Sequence, residues 1–89
     1  MIELNKIYFN DSLIGMKDVP DKAADMIFAD LPFGTTKCPW DVIIPFEPLW
    51  EQYKRIAKPN AAILLFAQTP FDKVLGCSNL DWLRYEWIW

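Results

Sequence analysis

Seven consecutive apolar residues, Ala61-Ala62-Ile63-Leu64-Leu65-Phe66-Ala67, constrain the fold more than any other feature of this chain. The run has strand length, is bounded by Pro59-Asn60 and Gln68-Thr69-Pro70, and lacks the alternation of a strand with one wet face. It predicts the central strand of a parallel sheet, covered on both faces. Parallel neighbours require long crossovers, usually helical, so the expected class is α/β with a mainly parallel sheet and flanking helices.

The rest of the pattern agrees with that class. Phe46, Leu49, Trp50, Tyr53, Ile56 and Ala57 recur at helix spacing; Pro45 and Pro48 suit the start, Lys54, Arg55 and Lys58 the C-terminal end, and Pro59-Asn60 the stop. Upstream, Lys6-Ile7-Tyr8-Phe9 reads as a short strand. Asn10-Asp11-Ser12 supplies caps for a helix over Leu13 to Lys17, weakened by Gly15 and ended by Pro20. Met26-Ile27-Phe28-Ala29 reads as the next strand, so these three elements predict a right-handed βαβ unit. Thr69-Pro70-Phe71-Asp72 looks like a cap, with proline at the first helical position, opening a helix to about Ser78. Arg84-Tyr85-Glu86-Trp87-Ile88-Trp89 alternates Tyr85, Trp87 and Trp89 against Arg84, Glu86 and Ile88, the mark of a fourth strand with unequal faces.

At 89 residues, 53% hydrophobic and 16% aromatic, the chain has enough apolar material for one core. Five Trp, six Phe and three Tyr are more than a domain of this size hides easily. Part of that surface is expected to face further chain or a partner, and self-association through it is one way to cover it. Residues 1–89 accordingly read as the first part of something longer, because an aromatic strand end such as Trp87-Ile88-Trp89 invites aggregation.

Net charge is −3 and the isoelectric point about 4.7, which argues against duplex binding by this segment alone. Cys38 and Cys77 form no CxxC pair and histidine is absent, so a His/Cys metal site and a His-based triad are excluded. No apolar run reaches the roughly 18 residues of a membrane span, and the N-terminus lacks the pattern of a signal peptide. A soluble, cytoplasmic protein with free thiols is the expectation.

Asp30-Leu31-Pro32-Phe33 follows the Met26–Ala29 strand directly, delivering an acid, a proline and an aromatic ring at a strand's carboxyl end, where α/β proteins commonly bind ligands. The tetrad resembles the acid-Pro-Pro-aromatic loop of S-adenosylmethionine-dependent DNA adenine-N6 and cytosine-N4 methyltransferases. The resemblance extends to Asn10-Asp11, the Asp-Met-Ile-Phe-Ala approach, Gly34-Thr35-Thr36, Trp40-Asp41, the Leu49-Trp50 helix, Leu65 to Phe71, and Tyr85-Glu86-Trp87. The chain looks like the N-terminal half of phage- or prophage-type adenine methyltransferases in which the catalytic half precedes the cofactor half. Leu31 stands where the family usually has its first proline, and Phe33 where it usually has tyrosine.

The resemblance implies a partial Rossmann-like sheet, double-stranded DNA as partner of the complete enzyme, S-adenosylmethionine as cofactor and no metal. An exocyclic amino group is a poor nucleophile because its lone pair is delocalised into the ring. Carried over by position, the Asp30 carboxylate takes one amino hydrogen, the Leu31 carbonyl takes the other, and Phe33 stacks on the flipped base. Pro32 stiffens the turn and biases Leu31 to an extended conformation. The donor's sulfonium would keep Asp30 ionised, and positioning with charge complementarity would carry most of the rate. The family's Phe-x-Gly-x-Gly cofactor turn is not found around Gly15, Gly34 or Gly76, nor is a target-recognition insert recognisable. The 89 residues are therefore expected to hold the base pocket but only part of the cofactor site, and to be inactive in isolation.

The remaining candidates each have a plain alternative. Asp11 is a cofactor contact or a helix cap. Thr35, Thr36 and Lys37 contact target phosphates or form a solvated loop. Trp40 packs beside the flipped base or anchors the loop. Gln68 and Thr69 reach the substrate, or Thr69 caps a helix. Cys38-Pro39 reverses the Pro-Cys of cytosine-C5 enzymes, so Cys38 is not assigned as a nucleophile. The stripe of Leu49, Trp50, Tyr53 and Ile56 is packing. Tyr85, Trp87 and Trp89 are core or a nucleic-acid stacking surface, core being favoured. Two rival functions remain: the same chemistry on RNA bases or protein glutamine, and an inactive remnant acting as a binding module.

Overall fold

A computed structural model describes residues 2–88. Its central unit is strand β1 (Ala24–Ala29), helix α2 (Phe46–Ile56) and strand β2 (Ala57–Leu65), with α1 (Ser12–Gly15) before it and α3 (Phe71–Ser78) after it. The two strands are parallel neighbours, with Met26 opposite Ala62, Ile27 opposite Ile63, Phe28 opposite Leu64 and Ala29 opposite Leu65. Helices with a two-stranded parallel sheet make the chain mixed α/β, in line with the long crossover such a pair needs. The βαβ unit is thus built from β1, α2 and β2, and the expected unit starting at Lys6 is not formed.

Pro59 accounts for where α2 stops. Its ring would meet the carbonyl four residues back, and it pushes Lys58 toward extended backbone, so the chain leaves the helix at Ala57 (φ −76°, ψ 136°). The strand begins there at once, four residues before the predicted Ala61. Ala24 pairs with Ala57 but Met26 pairs with Ala62, so five residues of β2 run beside two of β1. Pro59, which cannot donate to a ladder, falls inside that bulge.

Asp11 caps α1, its Oδ1 accepting the amides of Leu13 (2.9 Å) and Ile14 (3.3 Å). A 3₁₀ turn over Met16–Asp18 follows instead of a continued helix. Arg55 ties that turn to α2: its guanidinium donates to the carbonyls of Met16 and Val19 and to Asp21 Oδ1, each at 2.7 Å. The expected Thr69 cap is absent from α3. Pro70 occupies the cap position without a side-chain bond, and the helix opens at Phe71. Gln68 instead contributes its carbonyl, which accepts the Asp72 amide at 3.0 Å.

Two expected strands have no ladder. Residues 6–9 and 84–88 lie outside any strand, and Ile7, Phe9, Tyr85, Trp87 and Ile88 are exposed; Trp89 is outside the described residues. Alternation supplies the side chains for a strand, but a strand exists only beside another. The core preference for Tyr85 and Trp87 is likewise corrected: both are exposed, and their rings stack on each other at 6.1 Å.

The core is a cluster of Leu31, Leu49, Tyr53, Phe71 and Leu75, against which Ile27 and Ala29 of β1 and Ile63 and Leu65 of β2 pack. Their neighbours on the opposite sheet face, Met26 and Phe28, are 58% and 61% exposed, and Phe66 beyond β2 meets Phe28 edge-on at 5.3 Å. The sheet is therefore covered on one face, not both. Of the predicted stripe on α2, Leu49, Tyr53 and Ile56 are buried, while Trp50 donates through Nε1 to Ser78 Oγ at 2.9 Å. Burial lifts the Tyr53 hydroxyl above its ordinary range.

Candidate functional site

β1 and β2 end side by side, the Phe66 amide donating to the Ala29 carbonyl at 3.1 Å. The residue after β1 is Asp30, so the tetrad leaves the sheet at its carboxyl edge. Leu31 turns its side chain into the core at 8% exposure, which pins the backbone of the turn. Phe33 is also anchored, stacked on Phe71 with centroids 5.3 Å apart and rings 24° from parallel.

In front of the turn lies an open cleft of about 520 Å³. Asp30, Leu31, Pro32 and Phe33 line it, as do Thr35, Thr36, Trp40 and Gln68; Cys38 and Asp41 complete the wall. The structure thus gathers most of the sequence-predicted residues around one space. Lys37 and Asp11 are not among its walls.

Asp30 is exposed, and neither its carboxylate nor the Leu31 carbonyl accepts a hydrogen bond from another described residue. Two acceptors on adjacent residues, one ionisable and one neutral, line the cleft on a turn anchored by buried Leu31. Such a pair suits a ligand group with two N–H donors on one nitrogen.

The loop after the tetrad is organised by a residue that was singled out only as part of the resemblance. Asp41 Oδ1 accepts the Gly34 amide at 2.8 Å, while Oδ2 accepts the amides of Thr35 (3.0 Å) and Thr36 (2.8 Å) and the Thr36 hydroxyl (2.7 Å). These donors hold the carboxyl at about 2, against an ordinary 3.8, the Thr36 hydroxyl contributing most. Gly34 has φ +70°, and a Cβ there would stand 2.8 Å from Ile43 Cγ1, so glycine is required twice over. The Thr36 hydroxyl and the Gly34, Thr35 and Thr36 amides all donate to Asp41. Lys37 makes no hydrogen bond or ion pair among the described residues and stands clear of the cleft.

Comparison with known protein families, curated proteins and solved structures finds no match.

Among the described residues no three His, Cys, Asp or Glu side chains are grouped to hold a metal ion, and no helix is long and apolar enough to cross a membrane. Cys38 and Cys77 are both free and exposed.

Proposed function

We propose that this chain is the base-holding part of an S-adenosylmethionine-dependent amino-methyltransferase acting on DNA, with adenine N6 as the favoured target. The observation that carries the reading is the pair of free acceptors at Asp30 and Leu31, fixed at the carboxyl edge of a parallel sheet beside an aromatic ring. Asp30 accepts one hydrogen of the amino group and the Leu31 carbonyl the other, drawing the nitrogen toward a tetrahedral, nucleophilic geometry. Phe33, backed by Phe71, offers an edge or its remaining face to the base, and Trp40 lines the same cleft. In this reading the β1-α2-β2 unit belongs to a Rossmann-like sheet, and Gln68 reaches the same crevice from the end of β2.

The described residues fit the acceptor base better than they fit the methyl donor. When bound, S-adenosylmethionine supplies an electrophilic methyl group. Of the two carboxylates assigned to it, Asp11 lies away from the cleft with Oδ1 bonded to two amides of α1, and only Asp30 is at the cleft. No donor seat is assembled from these two, so no step through the donor is derived.

The test is titration of isotope-labelled chain with 2′-deoxyadenosine, 2′-deoxycytidine and thymidine monophosphates, followed by nuclear magnetic resonance. Adenine and cytosine carry an exocyclic amino group and thymine does not. Signals of Asp30 to Phe33 should move with the first two only. Equal response to all three would remove the amino-group reading, and response to none would favour a binding module acting through its exposed aromatic surface. A glutamine-containing peptide in a fourth titration tests the protein-directed alternative, and adenosine monophosphate the RNA-directed one.

A further inference from the structure

We propose that Asp41 is a positioning residue of the cleft, fixing the backbone that carries Phe33 at one end of the loop and Trp40 at the other. The ligand side of this proposal rests on the base-holding reading, whereas its geometry does not. Gly34 N–H belongs to the same planar peptide as the Phe33 carbonyl, so the 2.8 Å bond to Asp41 Oδ1 orients the unit that leaves Phe33. At the other end, the Asp41 amide donates to the Cys38 carbonyl at 3.0 Å, closing a turn with Trp40 at its third position.

Trp40 is 78% exposed, and its ring has no aromatic or cationic partner among the described residues, yet it lines the cleft. Its place depends on the loop backbone, and that backbone is gathered on one carboxylate. The four donors reaching Asp41 also mark its chemical difference from Asp30. Asp41 already accepts from inside the loop and acts on a ligand only through what it holds.

The experiment compares wild type, Asp41→Ala, Asp41→Asn, Thr36→Val and, as a control, Asp25→Asn, whose carboxylate pairs with Lys58 at the far end of the sheet. Two readouts are the magnetic resonance signals of Gly34 to Thr36, the Phe33 ring and the Trp40 indole, and the affinity for 2′-deoxyadenosine monophosphate. In Asp41→Ala the loop, Phe33 and Trp40 signals should shift while β1 and β2 amides stay in place, and affinity should fall about tenfold. Asp41→Asn, which keeps one accepting oxygen, should fall between, and Asp25→Asn should match wild type. Unmoved Phe33 and Trp40 signals in Asp41→Ala would overturn the proposal, as would unchanged affinity. Should Asp41→Ala unfold the chain, Thr36→Val decides: a smaller shift of the same signals supports the role, and none overturns it. If wild type fails to bind the nucleotide while Trp40 still shifts in Asp41→Ala, the base-holding reading fails and the positioning role stands.

Discussion

Asp30 and Asp41 lie on one loop system and line one cleft, but their surroundings are opposite. Asp30 follows a strand, on a turn anchored by buried Leu31, and accepts nothing from the described residues. Asp41 sits among four donors with no comparable apolar anchor. One carboxylate is left without a partner among the described residues on a backbone fixed through packing; the other is consumed in fixing backbone where packing is thin. A cleft wall therefore need not be apolar to be rigid.

The comparison is most exposed to Asp30→Ala. If Asp30 is free for a ligand, its removal should weaken adenine-nucleotide binding by roughly 10- to 100-fold, the range for one lost charge-assisted hydrogen bond. Stability in urea should stay within about 0.5 kcal/mol. A large loss of stability would mean that Asp30 is as structural as Asp41, and the contrast would disappear. Next in size is Gly34→Ala, which forces a side chain into a positive-φ position and against Ile43, and should cost about 1–3 kcal/mol in a denaturant melt.

Acid titration sharpens the contrast further. The Asp41 carboxyl is held at about 2 instead of 3.8, so its contribution to loop order is fully present above 3.8 and is lost as pH falls through about 2. Amide signals of Gly34 and Thr36 should therefore persist below pH 3.8; their collapse at that pH would show that the donors do not hold the anion. The smallest effect belongs to Thr36→Val. Loss of the hydroxyl donor should let the Asp41 carboxyl rise toward its ordinary value in a carbon-detected titration, with the amide bonds retained.

The strand-then-acid turn was legible because two local signals coincide: an apolar run of strand length, and an acid-x-Pro-aromatic string directly behind it. Leu49, Tyr53 and Ile56 were legible for a similar reason, since helix periodicity repeats within eleven residues. Asp41 was not, because a carboxylate reaching amides five to seven residues back has no period; a glycine followed by two threonines and a later aspartate is the faint signal available. The Arg55 staple escaped for the same reason, its partners lying 34 to 39 residues away. Lys6 to Phe9 and Arg84 to Ile88 misled in the opposite way. The short apolar run of the first and the alternation of the second record what a strand would need from its side chains, whereas strand formation also depends on a neighbour to bond.

Met26, Phe28 and Phe66, left in water on the open side of the sheet, also shape the temperature response. Apolar surface newly exposed on unfolding raises heat capacity by about 0.45 cal/K/mol per Å², and surface already wet in the folded state adds nothing. The stability curve of this chain should be flatter than that of a sheet of equal length enclosed on both sides. Cooling then costs it little, and whatever covers that face would make the curve steeper as well as higher.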